Sequence, residues 1–189
     1  NRGSAAVTEF GPTDNIVKFV GGAVTLANDT DLKISSGTGA ITIPSIAGTS
    51  SENVELVSTG GVTVGAIGSS NQIADVTITG PASLSGNITT SNSDGDVSIS
   101  GAVTLTQNVK IDTSADDGSI SLGSTVNGAK TLTLTSAAGG ITVTGGIGTT
   151  APLTALTINA QDSETSSGKI TLTGNIAKVA DSSAGVVTG

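Results

Sequence analysis

The sequence predicts an all-β fold of the parallel β-helix type, a β-solenoid with three short strands in each coil of about 21–24 residues. Three observations predict it. A short strand phrase recurs along the chain, aliphatic and hydroxyl side chains alternate within each copy, and the turns are rich in Gly, Ser, Asn and Asp. Because side chains alternate with a period of two, the aliphatic residues of each copy share one face. Strands this short cannot bury that face within one coil, so we expect successive coils to stack with equivalent strands parallel.

The recurring phrase is a Gly, any residue, an aliphatic residue, a Thr or Ser, and a second aliphatic residue. Its copies lie at 39–43, 60–64, 95–99, 118–122, 139–143 and 168–172. A lone aliphatic residue follows most copies, and a further alternating segment precedes the next copy, which completes three strands per coil. The two longest intervals between copies, from Gly60 to Gly95 and from Gly139 to Gly168, predict loop insertions near 81–94 and 161–167. The alternative for the first insertion is an extra coil around Leu84 and Ile88.

The predicted solenoid repeats occupy residues 22–189. Residues 1–21 fit the pattern worst, and we expect an irregular N-terminal or junction segment there. An antiparallel β-sandwich also uses short, regularly spaced strands and is the competing fold. The solenoid is favoured because hairpin-type Asn-Gly and Asp-Gly pairs occur at only three places, and because the chain has only two aromatic residues, Phe10 and Phe19.

Composition excludes several function classes. The chain has no His, Cys, Tyr or Trp, so it cannot hold a Ser–His–Asp triad, a thiol nucleophile or a disulfide. Its net charge of −8 argues against nucleic-acid binding. No apolar run approaches the roughly 20 residues of a membrane-spanning helix. A polysaccharide-active enzyme is an alternative because β-helices can carry such sites. The lone Arg near the N-terminus and the lack of sugar-stacking aromatics nevertheless predict a protein that is not an enzyme.

Acidic turns are the candidate metal ligands. Asp94 and Asp96 form the best pair, because alternating carboxylates in a turn can hold Ca²⁺ through oxygen ligands. No segment matches a full calcium-loop pattern, and turn chemistry alone also places Asp and Asn at such points. We therefore expect no cofactor, with Ca²⁺ at Asp94 and Asp96 as the alternative.

Outward Thr-x-Thr pairs and the two Phe residues are the remaining candidates. Ranks of Thr pairs on one face can organise water in ice-binding solenoids. In the register expected from sequence, the pairs fall on different faces and form no continuous rank. Phe10 and Phe19 are candidates for an assembly interface, since a solenoid has open ends and a head-to-tail contact between copies generates a filament. The alternative is that both rings plug the N-terminal end of the core.

The phrase at 139–160, Gly-Gly-Ile-Thr-Val-Thr-Gly-Gly-Ile-Gly-Thr-Thr-Ala-Pro-Leu-Thr-Ala-Leu-Thr-Ile-Asn-Ala, resembles repeats of filamentous-haemagglutinin-like bacterial surface exoproteins and related adhesin stalks. The similarity extends over most of residues 22–180. The Asn-Pro motifs of that family's secretion domain do not occur in this sequence. The resemblance implies a secreted, cell-surface role.

We therefore expect a structural component of an extracellular fibre, stalk or adhesin shaft, either self-associating end to end or continuing as a longer rod. The alternative is an adhesin that binds a host or cell-surface glycan or protein, or an ice-binding module.

Overall fold

The computed structural model describes residues 15–91, 95–115, 117–160 and 168–177, together with the backbone of two terminal strands, β1 (Ala6–Glu9) and β20 (Val186–Thr188). Every strand pairing is parallel, and no helix occurs in the described residues. The strands stack in coils with about three strands per coil, so the predicted β-solenoid is confirmed. No segment of the described chain forms a helix with the length and apolar character needed to cross a bilayer.

The first face of the solenoid is an eight-stranded sheet. From β4 onward its coils are of nearly equal length until the last step, from Ile141 to its register partner Ile170, which is the longest. Its strands are β1, β4 (Leu32–Ser35), β6 (Val54–Val57), β8 (Val76–Thr79), β11 (Val97–Ile99), β14 (Ile120–Leu122), β17 (Ile141–Val143) and β19 (Ile170–Leu172).

The second and third faces are joined into one sheet by two long strands that continue around the corner between them, β5 (Ile41–Ala47) and β7 (Val62–Ile67). The second face holds their first halves with β2 (Val17–Lys18), β9 (Ala82–Leu84), β12 (Val103–Leu105) and β15 (Val126–Asn127). The third face holds their second halves with β3 (Val24–Thr25), β10 (Ile88–Thr89), β13 (Val109–Asp112), β16 (Thr131–Ser136), β18 (Ala155–Ala160) and β20.

The core is one continuous column of aliphatic side chains inside the coils. On most strands of the described chain the buried positions alternate with exposed or half-buried ones, as in the buried–exposed pattern of β8. Because partner strands are in register, equivalent aliphatic residues lie directly above one another. One such column consists of Ile34, Leu56, Ile78, Ile99, Leu122 and Val143, each no more than 1% exposed.

The corner between the second and third faces shows why a glycine is needed at a particular place. Gly65 lies in β7 beside Pro44 of β5, at the point where both strands turn. A Cβ atom at position 65 would overlap the carbonyl oxygen of Pro44. Only glycine lets the two backbones approach this closely.

Near 81–94 the sequence predicts a loop insertion, but residues 81–91, the described part of this segment, do not form one. That stretch holds β9 and β10, and Leu84 and Ile88 are fully buried in the core. These residues therefore belong to a coil, as in the extra-coil alternative, because their aliphatic side chains stack on those of neighbouring coils. The insertion near 161–167 and the N-terminal part of the 1–21 segment lie outside the described residues.

The long interval between phrase copies that predicted this insertion has another cause. The copies at 39–43 and 60–64 lie on the second face, whereas the copies from 95–99 onward lie on the first face. The first-face strand before Val97 is β8, which follows no such glycine. The phrase thus moves from one face to another, while the coil length stays nearly constant.

Candidate functional site

Asp96, one of the two predicted calcium ligands, forms hydrogen bonds to both neighbouring coils. Its Oδ1 accepts hydrogen bonds from Ser119 N at 2.7 Å and from Ser119 Oγ at 2.8 Å. Its own N–H donates to Asp75 Oδ1 at 2.9 Å. Asp94 lies outside the described residues, and within them no group of three or more carboxylate, His or Cys side chains is placed to hold a metal ion. Calcium binding stays a prediction, and Asp96 joins the turns that lead into the first face.

This contact belongs to a wider pattern that the sequence analysis missed. Asp and Asn side chains just before a strand or at its end accept a backbone N–H from the next coil, which ties neighbouring coils together at the corners. The pairs are Asp31 with Asn53, Asn87 with Lys110, Asn108 with Thr131, and Asn127 with Thr150, at 2.8–3.0 Å. The available signal was an Asn or Asp immediately before an alternating segment, as at Asp31 before β4, Asn87 before β10 and Asn108 before β13.

A continuous hydroxyl rank on the first face is the main departure from the expected surface. Three of the five Thr-x-Thr pairs lie on this one face, and Ser residues of the intervening coils fill the positions between them. The first file is Thr77, Ser98, Ser121, Thr142 and Thr171, which are register partners in successive coils. The expectation that no continuous rank forms was therefore wrong, because it rested on a face assignment that shifts by one face near residue 90.

A second, parallel file lies two residues further along each strand. Its members are Thr79, Ser100, Gly123, Thr144 and Thr173, and the last four each donate a backbone N–H to the preceding coil. From Thr77 onward neither file contains a charged residue. The two earlier coils differ, because there Lys33 and Glu55 form an exposed ion pair at 2.8 Å. The outer surface of the first face, from β8 to β19, is therefore a two-file grid of hydroxyl groups, interrupted at Gly123, which we call the hydroxyl grid.

The turn at 48–53, which we call the Glu52 corner, contains a fully buried carboxylate. Glu52 Oε2 accepts Thr49 N–H at 2.5 Å, and Glu52 Oε1 accepts the Thr49 hydroxyl. An open cleft of about 560 Å³ lies beside the corner, lined by Thr49 and Ser50 and by the turn at 68–72. The sequence analysis did not single out Glu52. The signal was the spacing Thr-x-x-Glu, which is also that of a helix capping box and here closes a turn without a helix.

Large exposed apolar side chains of the described residues occur only beside the outermost coils. Ile16, Phe19 and Val20 flank β2, which is the first strand of the second face, and Ile176 lies beyond β19. Phe19 is 36% exposed, so its ring is not a buried plug of the core. Phe10, its predicted companion, lies outside the described residues.

The outer strands of the stack have one unpaired edge each in the described chain. β2 and β3 pair only with β5, and β19 pairs only with β17. Comparison with known protein families, with curated proteins and with solved structures finds no match.

Proposed function

We propose that the chain is a structural component of an extracellular fibre, stalk or adhesin shaft on a bacterial surface, and that its coils are continued end to end. Three features support a shaft. The core is one uninterrupted column, the strands are in register from coil to coil, and most outward side chains of the central coils are small and polar. Such a stack can be lengthened by adding coils without a new kind of interface.

The location of exposed apolar surface is the observation that carries end-to-end continuation. Ile16 and Val20 are 72% and 87% exposed, and both lie beside an unpaired strand edge. Ile176, 45% exposed, lies at the opposite end of the stack. Exposed strand edges combined with apolar side chains favour pairing with another strand. A further coil, supplied by a longer chain or by another copy, would cover both.

Assembly of this polypeptide can be tested by sedimentation velocity and negative-stain microscopy over a range of concentrations. We expect rods that lengthen with concentration, and a Val20→Asp variant that stays at the length of one chain. Thr142→Asp, which adds the same charge to the side of the shaft, is the matched control and should assemble as the unmodified chain does. Single rods of constant length at all concentrations would contradict assembly by copies.

The hydroxyl grid favours a second candidate function, the binding of ordered water at an ice surface. Parallel strands are spaced about 4.8 Å apart and alternate outward residues about 6.6 Å apart, so the grid presents hydroxyl groups at two fixed repeats. An uncharged and rigid array of this kind can hold water molecules in register without reorganising.

Ice-recrystallisation inhibition measures this candidate function directly. The unmodified chain should keep ice crystals small. Thr142→Lys, inside the grid with a hydroxyl residue on either side, should abolish the effect. Thr104→Lys on the second face is the matched control and should retain it. Equal inhibition by the two variants, or none by the unmodified chain, would rule out the grid as an ice-binding surface.

A further inference from the structure

Glu52 stands out because its carboxylate is buried and forms no ion pair with any Lys of the described residues. The side chain is completely inaccessible to solvent. The geometry around Gly48 places Glu52 Oε2 and the methyl group Cδ1 of Ile73 against the same point of the backbone, since an added Cβ there would collide with both. The carboxylate is thus enclosed between the turn and an aliphatic core residue.

Three donors from the turn itself converge on the two carboxylate oxygens. Thr49 supplies its N–H and its hydroxyl. Ser51 N lies 3.4 Å from Oε2 and supplies the third donor. An ionised carboxylate only accepts hydrogen bonds, so it can satisfy all of these donors at once. A protonated carboxyl would present its own O–H to a donor, which leaves that donor without an acceptor.

The same turn joins the coils on both sides. On the preceding coil, the Ser51 hydroxyl donates to Asp29 Oδ1 at 3.1 Å, and Thr49 Oγ1 lies 3.1 Å from Asn28 Oδ1. On the following coil, Ala74 N donates to the backbone oxygen of Glu52 at 2.8 Å.

Further along the stack, Ser91 Oγ donates to Ser50 O at 2.8 Å. Ser50 has a φ of +97°, in the left-handed region that disfavours a side chain, so its conformation depends on these surrounding contacts.

The charged groups on the neighbouring turns are all acidic. The preceding turn, 27–31, carries Asp29 and Asp31, and the following turn, 68–75, carries Asp75, while none of these turns contains Lys or Arg. Burial raises the pKa of Glu52, but the hydrogen bonds from Thr49 and from the backbone outweigh it and hold the pKa below the ordinary value of 4.5.

We propose that the Glu52 corner is an acid-operated latch, which holds three successive coils together while Glu52 is ionised and releases them when it takes up a proton. The released turn frees Thr49 and Ser51, and through them the contacts to the preceding coil. It also leaves Ser50 without the support that maintains its left-handed conformation. The cleft beside the turn widens as a result.

The direction of the pH effect follows from the lowered pKa. The folded-state pKa lies below the unfolded one, so the latch is fully closed above about pH 4.5 and opens as the pH falls through the folded-state pKa. Between the ordinary value of 4.5 and the lowered folded-state pKa, each pH unit increases the open fraction by up to about tenfold, and below the folded-state pKa the increase levels off.

Amide hydrogen exchange, expressed as protection factors, tests the latch in the unmodified chain. Protection of the Thr49, Ser50 and Ala74 amides should fall by up to about tenfold per pH unit as the pH drops below about 4.5, and should level off below the folded-state pKa of Glu52. Val103, whose amide is bonded to Thr125 O in a distant coil, should keep its protection over the same range. A parallel fall at Val103 would show global acid unfolding and overturn the local latch.

Two variants distinguish the role of Glu52 from that of Glu55, a nearby glutamate in β6. Glu52→Gln places an amide donor among the converging donors. It should show at pH 7 the low protection that the unmodified chain reaches only in acid, with little further pH dependence. Glu55→Gln, at an exposed residue paired with Lys33, should retain the acid transition of the unmodified chain. An unchanged acid transition in Glu52→Gln would refute the proposal. If that variant does not fold, the comparison of Ala74 with Val103 in the unmodified chain decides it.

Discussion

Truncation of Ile111 tests the stacked core most directly. Ile111 is fully buried in β13, in register with Ile88 on one side and Leu134 on the other. The change Ile111→Ala removes three carbon groups, which at about 0.8 kcal/mol each corresponds to about 2.4 kcal/mol of transfer free energy. The cavity that remains between two in-register neighbours brings the expected loss of unfolding free energy to about 3–4 kcal/mol.

Urea unfolding followed by circular dichroism measures this loss. Lys110→Ala, one residue earlier, is the control, because Lys110 points outward and forms a partly exposed ion pair with Asp112 at 2.6 Å. Its loss should cost no more than about 1 kcal/mol. If the two variants lose similar amounts, or if Ile111→Ala loses less than about 1 kcal/mol, then β13 does not present Ile111 to a packed core and the reasoning fails.

Two other changes follow from the same structure. Gly65→Ala should lower the unfolding free energy by about 1–3 kcal/mol in urea titrations because of its overlap with Pro44, whereas Gly22→Ala, at a glycine with open space around it, should lose nothing measurable. Equal stability of the two alanine variants would remove the argument for a required glycine at the corner. Burial raises the pKa of Asp112, but hydrogen bonds from Lys110 and Ser114 outweigh it and keep the pKa below 3.8, so the stabilisation by Asp112 is present above that value and disappears as the pH falls through the folded-state pKa. Asp112→Asn should therefore be less stable than the unmodified chain at pH 7 and match it near pH 2; an equal deficit at both pH values would contradict this.

The alternation of side chains was sufficient to predict the fold and most of the core. In Ile141-Thr142-Val143 the two aliphatic residues are buried and the Thr is exposed, as the period of two requires. That inference is local, because it depends only on which side of a strand each residue occupies.

Assignment of strands to faces could not be predicted in the same way. All three faces bury the same kinds of side chain, so the sequence of a strand does not indicate the face on which it lies. The corners also differ in form. β5 passes from the second to the third face within one strand, whereas β12 and β13 lie on the same two faces as separate strands, joined through 106–108. Only the pairing registers resolve the shift, and with it the hydroxyl grid.

The Glu52 corner was beyond sequence reasoning for a different reason. A Glu in a Ser-rich turn resembles a solvent-exposed residue, and its burial depends on turns supplied by the coils before and after it. The contacts of Thr49 and Ser51 with Asn28 and Asp29 span 21 and 22 residues, which is one coil. Such contacts become visible only when the coil length at that point is known.

The parallel ladders also determine how the shaft responds to tension. Strands run around the coil, so their hydrogen bonds point along the long axis, and a force that separates the two ends loads these bonds in series. Outer coils would then peel away singly. Each one released would lengthen the tether by about 75 Å, for about 22 residues at roughly 3.4 Å each. A solenoid of this design should therefore extend stepwise under tension, and single-molecule pulling should show steps of about one coil each.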